Sequence, residues 1–517
     1  MHALFYNGAS FASETIIARL RDSLGLTEVT LVDHQPAYEV EGVRIHRMHV
    51  DDVMYLDYPT SIHDCAPLEE SVVMAMAQCE IQCLTMFDKA AKVGRRQVWQ
   101  RRRIRQGQPF FRDLNTTETY DRRKFQYLTH LRYWNDYLDR HPIDFYMMGT
   151  VPYAMWDYIL YELCKQRGIP TLLFQHLLID GYSLPVTSIE GPNQQLQDTI
   201  GAVAEEFAGR EHEIQLCERS EVFIRKQTDK TKDPHPEYYD MSLNEYAKGD
   251  WRSAYIYVKA MVKGLLVEQP GFNRRQWLEY LSCDFWLRTL KDMEMRTLWK
   301  YWDAHADFRI DGTPFVYVAL AYQPEVSTCP SGGVFTNQEL MIQALAKSLP
   351  EGAILAVKEH PAQKSLSRTI DFYQWLVAEP RVRLVPRNYN TYRLIESATA
   401  VATTTGSIIM ESLFRQTPVM AFGEHNAVYA PGVFRVRNGR DVAAAFKAIF
   451  EDGVKPSLAG TRVFIGALER LWFRCDNWGR VTEPLMKFSG LTHEENGIGL
   501  ADAFAHTYRS LTGKPGG

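Results

Sequence analysis

The feature that most constrains the fold is a regular alternation of apolar and amphipathic segments between residues 314 and 422. Short apolar runs that predict strands are separated by segments of helical periodicity. The predicted strands are 314–321, 353–358, 382–385, 400–403 and 418–422, and the predicted helices are 337–349, 371–378, 391–397 and 408–414. Such an alternation is typical of a parallel sheet with helices on both faces.

Two further strand–helix–strand units lie in the first 190 residues. The chain opens with apolar segments at Ala3–Tyr6 and Val29–Val32, separated by a helical stripe. A later unit runs from Ile143–Met148 through a helix to Pro170–Gln175. We therefore predict an α/β chain of two Rossmann-like domains facing a cleft. The predicted divisions are an N-terminal domain at 1–190, a helical insertion or linker at 191–308, a C-terminal domain at 309–455, and C-terminal helices at 456–517 that pack back on the N-terminal domain.

The charge of the chain argues against nucleic acid as a partner. Its 517 residues include 58 Lys and Arg and 63 Asp and Glu, which gives a net charge of −5. A chain that binds nucleic acid usually carries a basic excess that neutralises phosphates. No stretch of about 18 apolar residues occurs, so we expect no membrane-spanning helix. Together with scattered cysteines, these features predict a cytoplasmic location.

One local basic segment stands out from this balance. The run Arg95–Arg105 is rich in arginine and lies in a region of helical pattern. A solvated helix face would explain it. Contact with the phosphates of anionic lipid headgroups, or of a lipid-linked acceptor, is the alternative. The second interpretation predicts peripheral contact with the inner membrane.

The most informative segment is a hydroxyl-rich turn between a predicted strand and a predicted helix. It contains Thr404, Thr405, Gly406 and Ser407, and Glu411 follows one turn into the helix. The first N–H groups of a helix have no partner within it and attract anions, and a glycine permits close approach of a phosphate. A carboxylate at this place would accept hydrogen bonds from ribose hydroxyls. We predict nucleotide binding here, although ordinary helix capping uses the same residue types.

A second polar group, Lys358, Glu359 and His360, follows the strand at 353–358. The carboxyl ends of parallel strands gather at one edge of a sheet, so we expect His360 to lie near Gly406. A histidine there would donate to a phosphate oxygen and ease departure of the nucleotide. A structural histidine at the corner of a loop is the alternative.

Two more donor-side candidates follow the first strand of the same domain. Gln323 is expected to read the edge of a base, and Glu325 to order basic side chains, with ordinary turn chemistry as an equal contender.

The N-terminal half offers candidates for the acceptor side of the cleft. Gly8, Ala9 and Ser10 follow the first strand, and His176 and Asp180 follow the strand at 170–175. A general base for an acceptor hydroxyl would be an acidic residue or a histidine. We take Asp180 as the first choice for this base and His176 as the second.

The order of these motifs resembles the bacterial capsule polysaccharide synthesis family. The likeness is carried by Gln323-Pro324-Glu325, Lys358-Glu359-His360-Pro361, and Thr404-Thr405-Gly406-Ser407 followed by Glu411, Pro418, Phe422-Gly423 and Tyr429. That family looks like GT-B glycosyltransferases and includes enzymes similar to transferases of 3-deoxy-manno-octulosonic acid (Kdo). The resemblance implies that a bacterial GT-B enzyme transfers a sugar from a nucleotide donor to a surface glycan, with no cofactor beyond the donor.

A likeness to bacterial sialyltransferases concerns motif order. Asp180-Gly181, His360-Pro361 and the hydroxyl cluster at 403–407 follow one another as an acidic residue, a His-Pro pair and a hydroxyl turn do there. This favours a CMP-activated acidic sugar and leaves UDP- and GDP-sugars open. The chain contains no Walker motif and no G-x-G-x-x-G, which argues against a kinase, an ATPase or a common NAD enzyme. No D-x-D follows a predicted strand and no H-E-x-x-H occurs, so a reaction without a metal ion is expected.

Two alternatives to a glycosyltransferase remain at this point. A hydrolysing UDP-sugar 2-epimerase would share the two-domain fold and a hydroxyl-glycine turn followed by Glu. A non-catalytic protein of polysaccharide binding or assembly would have kept the fold without the chemistry.

Overall fold

The computed structural model describes residues 1–7, 12–34, 38–54, 56–90, 120–152, 154–229, 297–323, 328–361, 363, 368–476 and 489–513. Several predictions from the sequence fall outside these residues. They concern Gly8, Ala9 and Ser10, Glu325, the run Arg95–Arg105, and residues 230–296 of the predicted helical insertion.

The N-terminal sheet has the strand order β3-β2-β1-β4-β5-β6. Its strands are β1 (His2–Tyr6), β2 (Glu28–Asp33), β3 (Arg44–His49), β4 (Phe145–Met148), β5 (Thr171–His176) and β6 (Ser183–Val186). The central strand β1 lies parallel to both neighbours, with Ala3 opposite Val29 on one side and Phe145 on the other. Its side chains are almost all buried because helices cover both faces, as the apolar runs predict.

Helices surround this sheet. They are α1 (Ser13–Leu24), α2 (Val50–Met54), α3 (Glu70–Ala75), α4 (Ala77–Ala90), α5 (Tyr120–Arg140) and α6 (Met155–Gln166). Helix α6 ends before Gly168, whose φ of 67° is the left-handed conformation that glycine adopts without strain. The sequence therefore predicted both strand–helix–strand units of this domain correctly.

The edges of the N-terminal sheet differ from the prediction. Strand β3 was not predicted, and its alternately exposed residues reflect its place at one edge. At the other edge the chain turns back after β5, and β6 pairs antiparallel to it, with Ser183 opposite His176. Asp180 consequently lies in the turn between two antiparallel strands, beyond the end of β5.

The C-terminal sheet consists of parallel strands in the order β12-β11-β10-β7-β8-β9. They are β7 (Phe315–Ala319), β8 (Ile354–Lys358), β9 (Val382–Leu384), β10 (Ala400–Thr403), β11 (Val419–Ala421) and β12 (Val433–Arg435). Numbered within each domain, both sheets have the order 3-2-1-4-5-6 of a Rossmann-like fold. The predicted architecture of two Rossmann-like domains is confirmed.

The remaining helices follow β6 in the chain. They are α7 (Gln194–Glu206), α8 (Glu218–Thr228), α9 (297–305), α10 (Gln338–Ser348), α11 (Ile370–Ala378), α12 (Thr391–Ser397), α13 (Ile408–Phe414), α14 (Gly439–Phe446), α15 (Leu458–Leu471) and α16 (His493–Thr512). The helices predicted at 391–397 and 408–414 have the observed bounds. None of the described helices combines the length and apolar character needed to cross a bilayer.

The two domains share a continuous apolar core, in which α13 packs against α8 and α15. Phe414 of α13 lies edge-on to Phe223 of α8, with ring centroids 5.5 Å apart. The segment before α7 is tied to the C-terminal domain by the backbone N–H of Asn193, which donates to the hydroxyl of Tyr429 at 2.8 Å.

The C-terminal helix returns to the N-terminal sheet. Helix α16 packs on α1, where an added Cβ at Gly497 would lie 2.8 Å from the Cβ of Ala12. Arg19 and Asp502 form an ion pair of 2.8 Å beside this contact. The numerical bounds of the four predicted divisions stay predictions.

Candidate functional site

Four loops meet at the carboxyl edge of the C-terminal sheet, and the candidate site is built from them. His360 follows β8 and the turn 404–407 follows β10, and these two strands flank β7. Neighbouring strands lie about 4.8 Å apart, so the two loops begin about 10 Å from each other. The structure therefore places His360 and Gly406 at one edge, on either side of the point where the strand order reverses.

The predicted donor-side residues divide into an accessible and a buried group. Partly exposed are His360, Gly406, Ser407 and Glu411. Buried are Gln323, Lys358, Glu359, Thr404 and Thr405. The first group is partly exposed at this edge, whereas the second group is covered by its neighbours. The roles of both groups in donor binding stay predictions.

The hydroxyl-rich turn has an open surface at Gly406, whose φ of 123° only glycine tolerates without strain. Nothing lies within 4 Å of the position that a Cβ of Gly406 would take, so a ligand can approach the backbone. Among the described residues, no acceptor is found for the backbone N–H groups of Gly406 and Ser407. The Ser407 hydroxyl donates to Oε1 of Glu411 at 2.7 Å.

On its buried side the same turn packs against Gly423, which follows β11. The N–H of Gly423 donates to the carbonyl of Thr404 at 2.7 Å. A Cβ on Gly423 would lie 2.6 Å from Cγ2 of Thr405 and 2.7 Å from the carbonyl oxygen of Ser331. The glycine is thus needed for close approach of three loops, and Thr404 and Thr405 are buried by that contact.

Lys358 lies beneath the site. Its ammonium donates to the carbonyl of Tyr389 at 2.7 Å and to the hydroxyl of Thr391 at 2.8 Å. Burial lowers the pKa of Lys358 to about 8, and the nearby carboxylate of Glu411 acts in the opposite direction. Lys358 therefore provides the positive charge closest in sequence to His360 while holding the start of α12 in place.

The predictions that Gln323 and Glu359 contact the donor stay predictions, and the structure places both side chains inside the domain. Both residues are 1% exposed. The Gln323 side chain donates to the carbonyl of Thr336 and accepts from Arg368 at 3.0 Å. The Glu359 carboxylate accepts from Arg368 at 3.0 Å and from Tyr373 at 2.8 Å. Their polar atoms are engaged inside the domain, so both residues support the loops of the site.

The imidazole of His360 packs beside the ring of Tyr322, with centroids 5.5 Å apart. Burial lowers the pKa of His360 to about 4, an effect that Glu359 opposes and that Arg368 and Lys358 reinforce. The ring is therefore neutral at pH 7 and carries one N–H. In this state it can donate a hydrogen bond to a phosphate oxygen without bringing a charge into the site.

A second histidine, His425, was missed by the sequence analysis. It follows β11, and its Nδ1 accepts the backbone N–H of Ala427 at 3.1 Å, which leaves the ring proton on Nε2. Burial lowers the pKa of His425 to about 4, so this ring is also neutral at pH 7. Its position after a strand end was the available signal, the same one that singled out His360.

Two of the acceptor-side candidates, His176 and Asp180, lie within the described residues, at the corresponding edge of the N-terminal sheet. His176 is the last residue of β5. Asp180 lies four residues further on, and its carbonyl oxygen accepts from Arg219 of α8 at 2.9 Å. Gly181 beside it has a φ of 82°, and an added Cβ would lie 2.9 Å from the carbonyl oxygen of Ser489. The roles of Asp180 and His176 as a general base stay predictions.

Comparison with protein families identifies one matching segment. Residues 326–440 match the family described as capsule polysaccharide biosynthesis protein. The matched segment contains His360, the hydroxyl-rich turn and Glu411, and it covers β8 to β12 but begins after β7. The resemblance predicted from the motifs is confirmed over these residues. A search of curated proteins finds no match.

Solved structures with a similar arrangement include two kinds of enzyme. UDP-GlcNAc 2-epimerase of Methanocaldococcus jannaschii, in complex with UDP-GlcNAc and UDP, is 9% identical, with 91% of this chain and 98% of that chain covered and a TM-score of 0.25. KpsC of Thermosulfurimonas dismutans, a beta Kdo 2,7 transferase, is 11% identical, with 66% and 81% covered and a TM-score of 0.28. UDP-GlcNAc 2-epimerase of Neisseria meningitidis is 12% identical, with 99% and 100% covered and a TM-score of 0.23. None of these likenesses bears on the function of this chain.

Proposed function

We propose that this chain is a glycosyltransferase that moves a sugar from a nucleotide donor to a surface or capsular polysaccharide. The observation that carries the proposal is the convergence of His360, Gly406, Ser407 and Glu411 at one sheet edge, all of them accessible. The match of residues 326–440 to a capsule polysaccharide biosynthesis family supports the same class of reaction.

On the donor side, the open backbone at Gly406 and Ser407 would receive the phosphate, and the carboxylate of Glu411 would accept ribose hydroxyls. The neutral His360 would donate to the phosphate oxygen that bears the new charge as the bond to the anomeric carbon breaks. Protein groups fixed in this way stabilise the leaving nucleotide without having to reorient. We propose that no metal ion takes part and that the donor is a CMP-activated acidic sugar.

On the acceptor side, a hydroxyl oxygen of the glycan would form the new bond to the anomeric carbon. Its proton would pass to a general base, for which we propose Asp180 or His176. His176 ends β5 at the carboxyl edge of the N-terminal sheet, and Asp180 lies in the turn that follows. Closure of the two domains would exclude water that otherwise hydrolyses the donor.

The proposed location is the cytoplasmic face of the inner membrane. The basic run Arg95–Arg105 would contact anionic headgroups or a lipid-linked acceptor there. Vesicles with and without anionic phospholipid would test this contact by co-sedimentation. Equal sedimentation with neutral and anionic vesicles would contradict it.

The donor proposal is tested first by binding and then by turnover. Thermal melting with CMP, UDP and GDP should show stabilisation by one of them, and CMP-Kdo with an acceptor glycan should release CMP. Replacing His360 with Ala should lower the rate of release by about 10²- to 10⁴-fold. His305→Ala is the matched control, because His305 is exposed on α9 and its Nδ1 pairs with the carbonyl of Tyr301 in the same helix.

Three results would contradict the proposal in different ways. Near-wild-type turnover in His360→Ala would remove the histidine from the reaction. Release of N-acetylmannosamine and UDP from UDP-N-acetylglucosamine alone would identify a hydrolysing 2-epimerase. Glycan binding without any nucleotide binding would indicate a non-catalytic assembly protein.

A further inference from the structure

We propose that Arg368 is a positioning residue that holds the His360 ring in place through two supports. The first support is the carboxylate of Glu359, and the second is the chain on either side of Tyr322. The catalytic consequence of this arrangement rests on the proposed function, whereas the arrangement itself does not.

The first support is a buried ion pair that fixes the backbone at His360. Nε of Arg368 donates to Oε2 of Glu359 at 3.0 Å, and Nη2 donates to Oε1 at 3.3 Å. Tyr373 donates to Oε2 at 2.8 Å, and the N–H of His360 donates to Oε1 at 2.8 Å. Both oxygens are thereby fully engaged, so the carboxylate has one position. The peptide that begins His360 is tied to it.

The second support is the segment that follows β7. Nη1 of Arg368 donates to the side-chain oxygen of Gln323, and Nη2 donates to the carbonyl of Ala321, each at 3.0 Å. Tyr322 lies between these two residues, and its ring packs against that of His360. A single guanidinium therefore fixes both the backbone of His360 and the surface against which its ring lies.

The burial of Arg368 and Glu359 limits which side chains could replace them. The side chain of Arg368 is 4% exposed and that of Glu359 is 1% exposed. A guanidinium presents its donors in a rigid planar fork, which a lysine ammonium cannot reproduce. Arg368→Lys would keep the charge but could not reach Glu359, Gln323 and Ala321 together. Tyr373→Phe removes one hydrogen bond to Glu359 and leaves the ion pair intact.

The test reads the environment of His360 without any donor. Diethyl pyrocarbonate acylates neutral imidazole, so its rate with His360, followed by peptide mass spectrometry across a pH series, reports both the accessibility and the pKa of the ring. We expect Arg368→Lys to react faster than wild type, with its pH dependence shifted toward that of a free histidine. Tyr373→Phe should change in the same direction by a smaller amount.

Arg415→Lys is the matched control, because Arg415 is equally buried and forms an ion pair of 2.9 Å with Glu396. It should lower the melting temperature without changing the modification of His360. A wild-type modification profile in folded Arg368→Lys and Tyr373→Phe would overturn the proposal. If Arg368→Lys does not fold, the profile of Tyr373→Phe alone decides.

Turnover provides the second readout. A ring displaced by about 1 Å should lower kcat for CMP release by about 10²-fold, with a smaller change in KM because the donor is held by other groups. A shifted modification profile with unchanged kcat would support the positioning and overturn the proposed role of His360. The two proposals therefore fail in distinguishable ways.

Discussion

The hydroxyl of Ser407 donates a 2.7 Å hydrogen bond to Oε1 of Glu411. This bond joins the accessible turn after β10 to the first turn of α13. Ser407 is the N-cap residue of α13, but its side chain makes no capping hydrogen bond to the backbone of the helix. Its hydroxyl bonds to Glu411 instead. The bond therefore limits the rotation of the Glu411 carboxylate at the start of α13.

Glu411→Gln should weaken nucleotide binding. The substitution keeps the shape of the side chain but replaces an ionised acceptor, and hydrogen bonds to charged groups contribute about 1.5–3 kcal/mol. The dissociation constant of the stabilising nucleotide should rise by about 10- to 100-fold in calorimetry. Asp371→Asn, an exposed acidic residue in the first turn of α11, is the control for the charge change. Equal affinities of Glu411→Gln and wild type would rule out a contact with the nucleotide.

Gly423→Ala should displace the hydroxyl-rich turn, against which Gly423 packs. The added methyl group would lie 2.6 Å from Cγ2 of Thr405 and 2.7 Å from the carbonyl of Ser331, so the hydroxyl-rich turn must move. Overpacking of this kind typically costs about 1–3 kcal/mol. The variant should unfold at a lower urea concentration than wild type and should bind the nucleotide more weakly. Gly201→Ala is the control, because this helical glycine has open space around it and the change should not destabilise. Unaltered nucleotide binding in Gly423→Ala would contradict the close packing.

His360 should make the protein less stable as the pH falls. Burial lowers its pKa from 6.5 to about 4, so the unfolded chain takes up a proton at a higher pH than the folded chain does. Stability is therefore lost progressively as the pH decreases through this window. Melting temperatures measured between about pH 4.5 and 7.5 should fall more steeply in wild type than in His360→Asn. Parallel pH profiles of the two proteins would show that the folded and unfolded pKa values are alike.

Glu162 should act with the opposite sign. Burial and the neighbouring Glu190 raise its pKa from 4.5 to about 7, so the folded chain retains the proton longer than the unfolded chain does. The contribution of Glu162 to stability is then greatest at low pH and is lost as the pH rises through about 7. Glu162→Gln should melt higher than wild type at about pH 8 and close to it at about pH 5. Glu206→Gln, which alters a half-exposed carboxylate paired with Arg470, should show no such dependence. A pH-independent difference would exclude the proton uptake.

The interior strands could be predicted because a strand that is buried on both faces consists mostly of consecutive apolar residues. Strands β8 and β10 end where predicted, at Lys358 and Thr403. The unpredicted strands, β3, β6 and β12, all lie at sheet edges. An edge strand is covered on fewer sides, so its residues are mixed in character, as the alternating exposure of Arg44–His49 illustrates.

The sequence by itself determined the alternation of strands and helices, and with it the meeting of His360 and Gly406 at one edge, because parallel connections leave little choice of topology. Only the tertiary structure decided which polar residues at that edge face outward. Glu359 and Gln323 became internal because Arg368, far from Gln323 in the chain, supplies the buried charge that satisfies them. Such pairing depends on distance in space, which local patterns of residue type do not record.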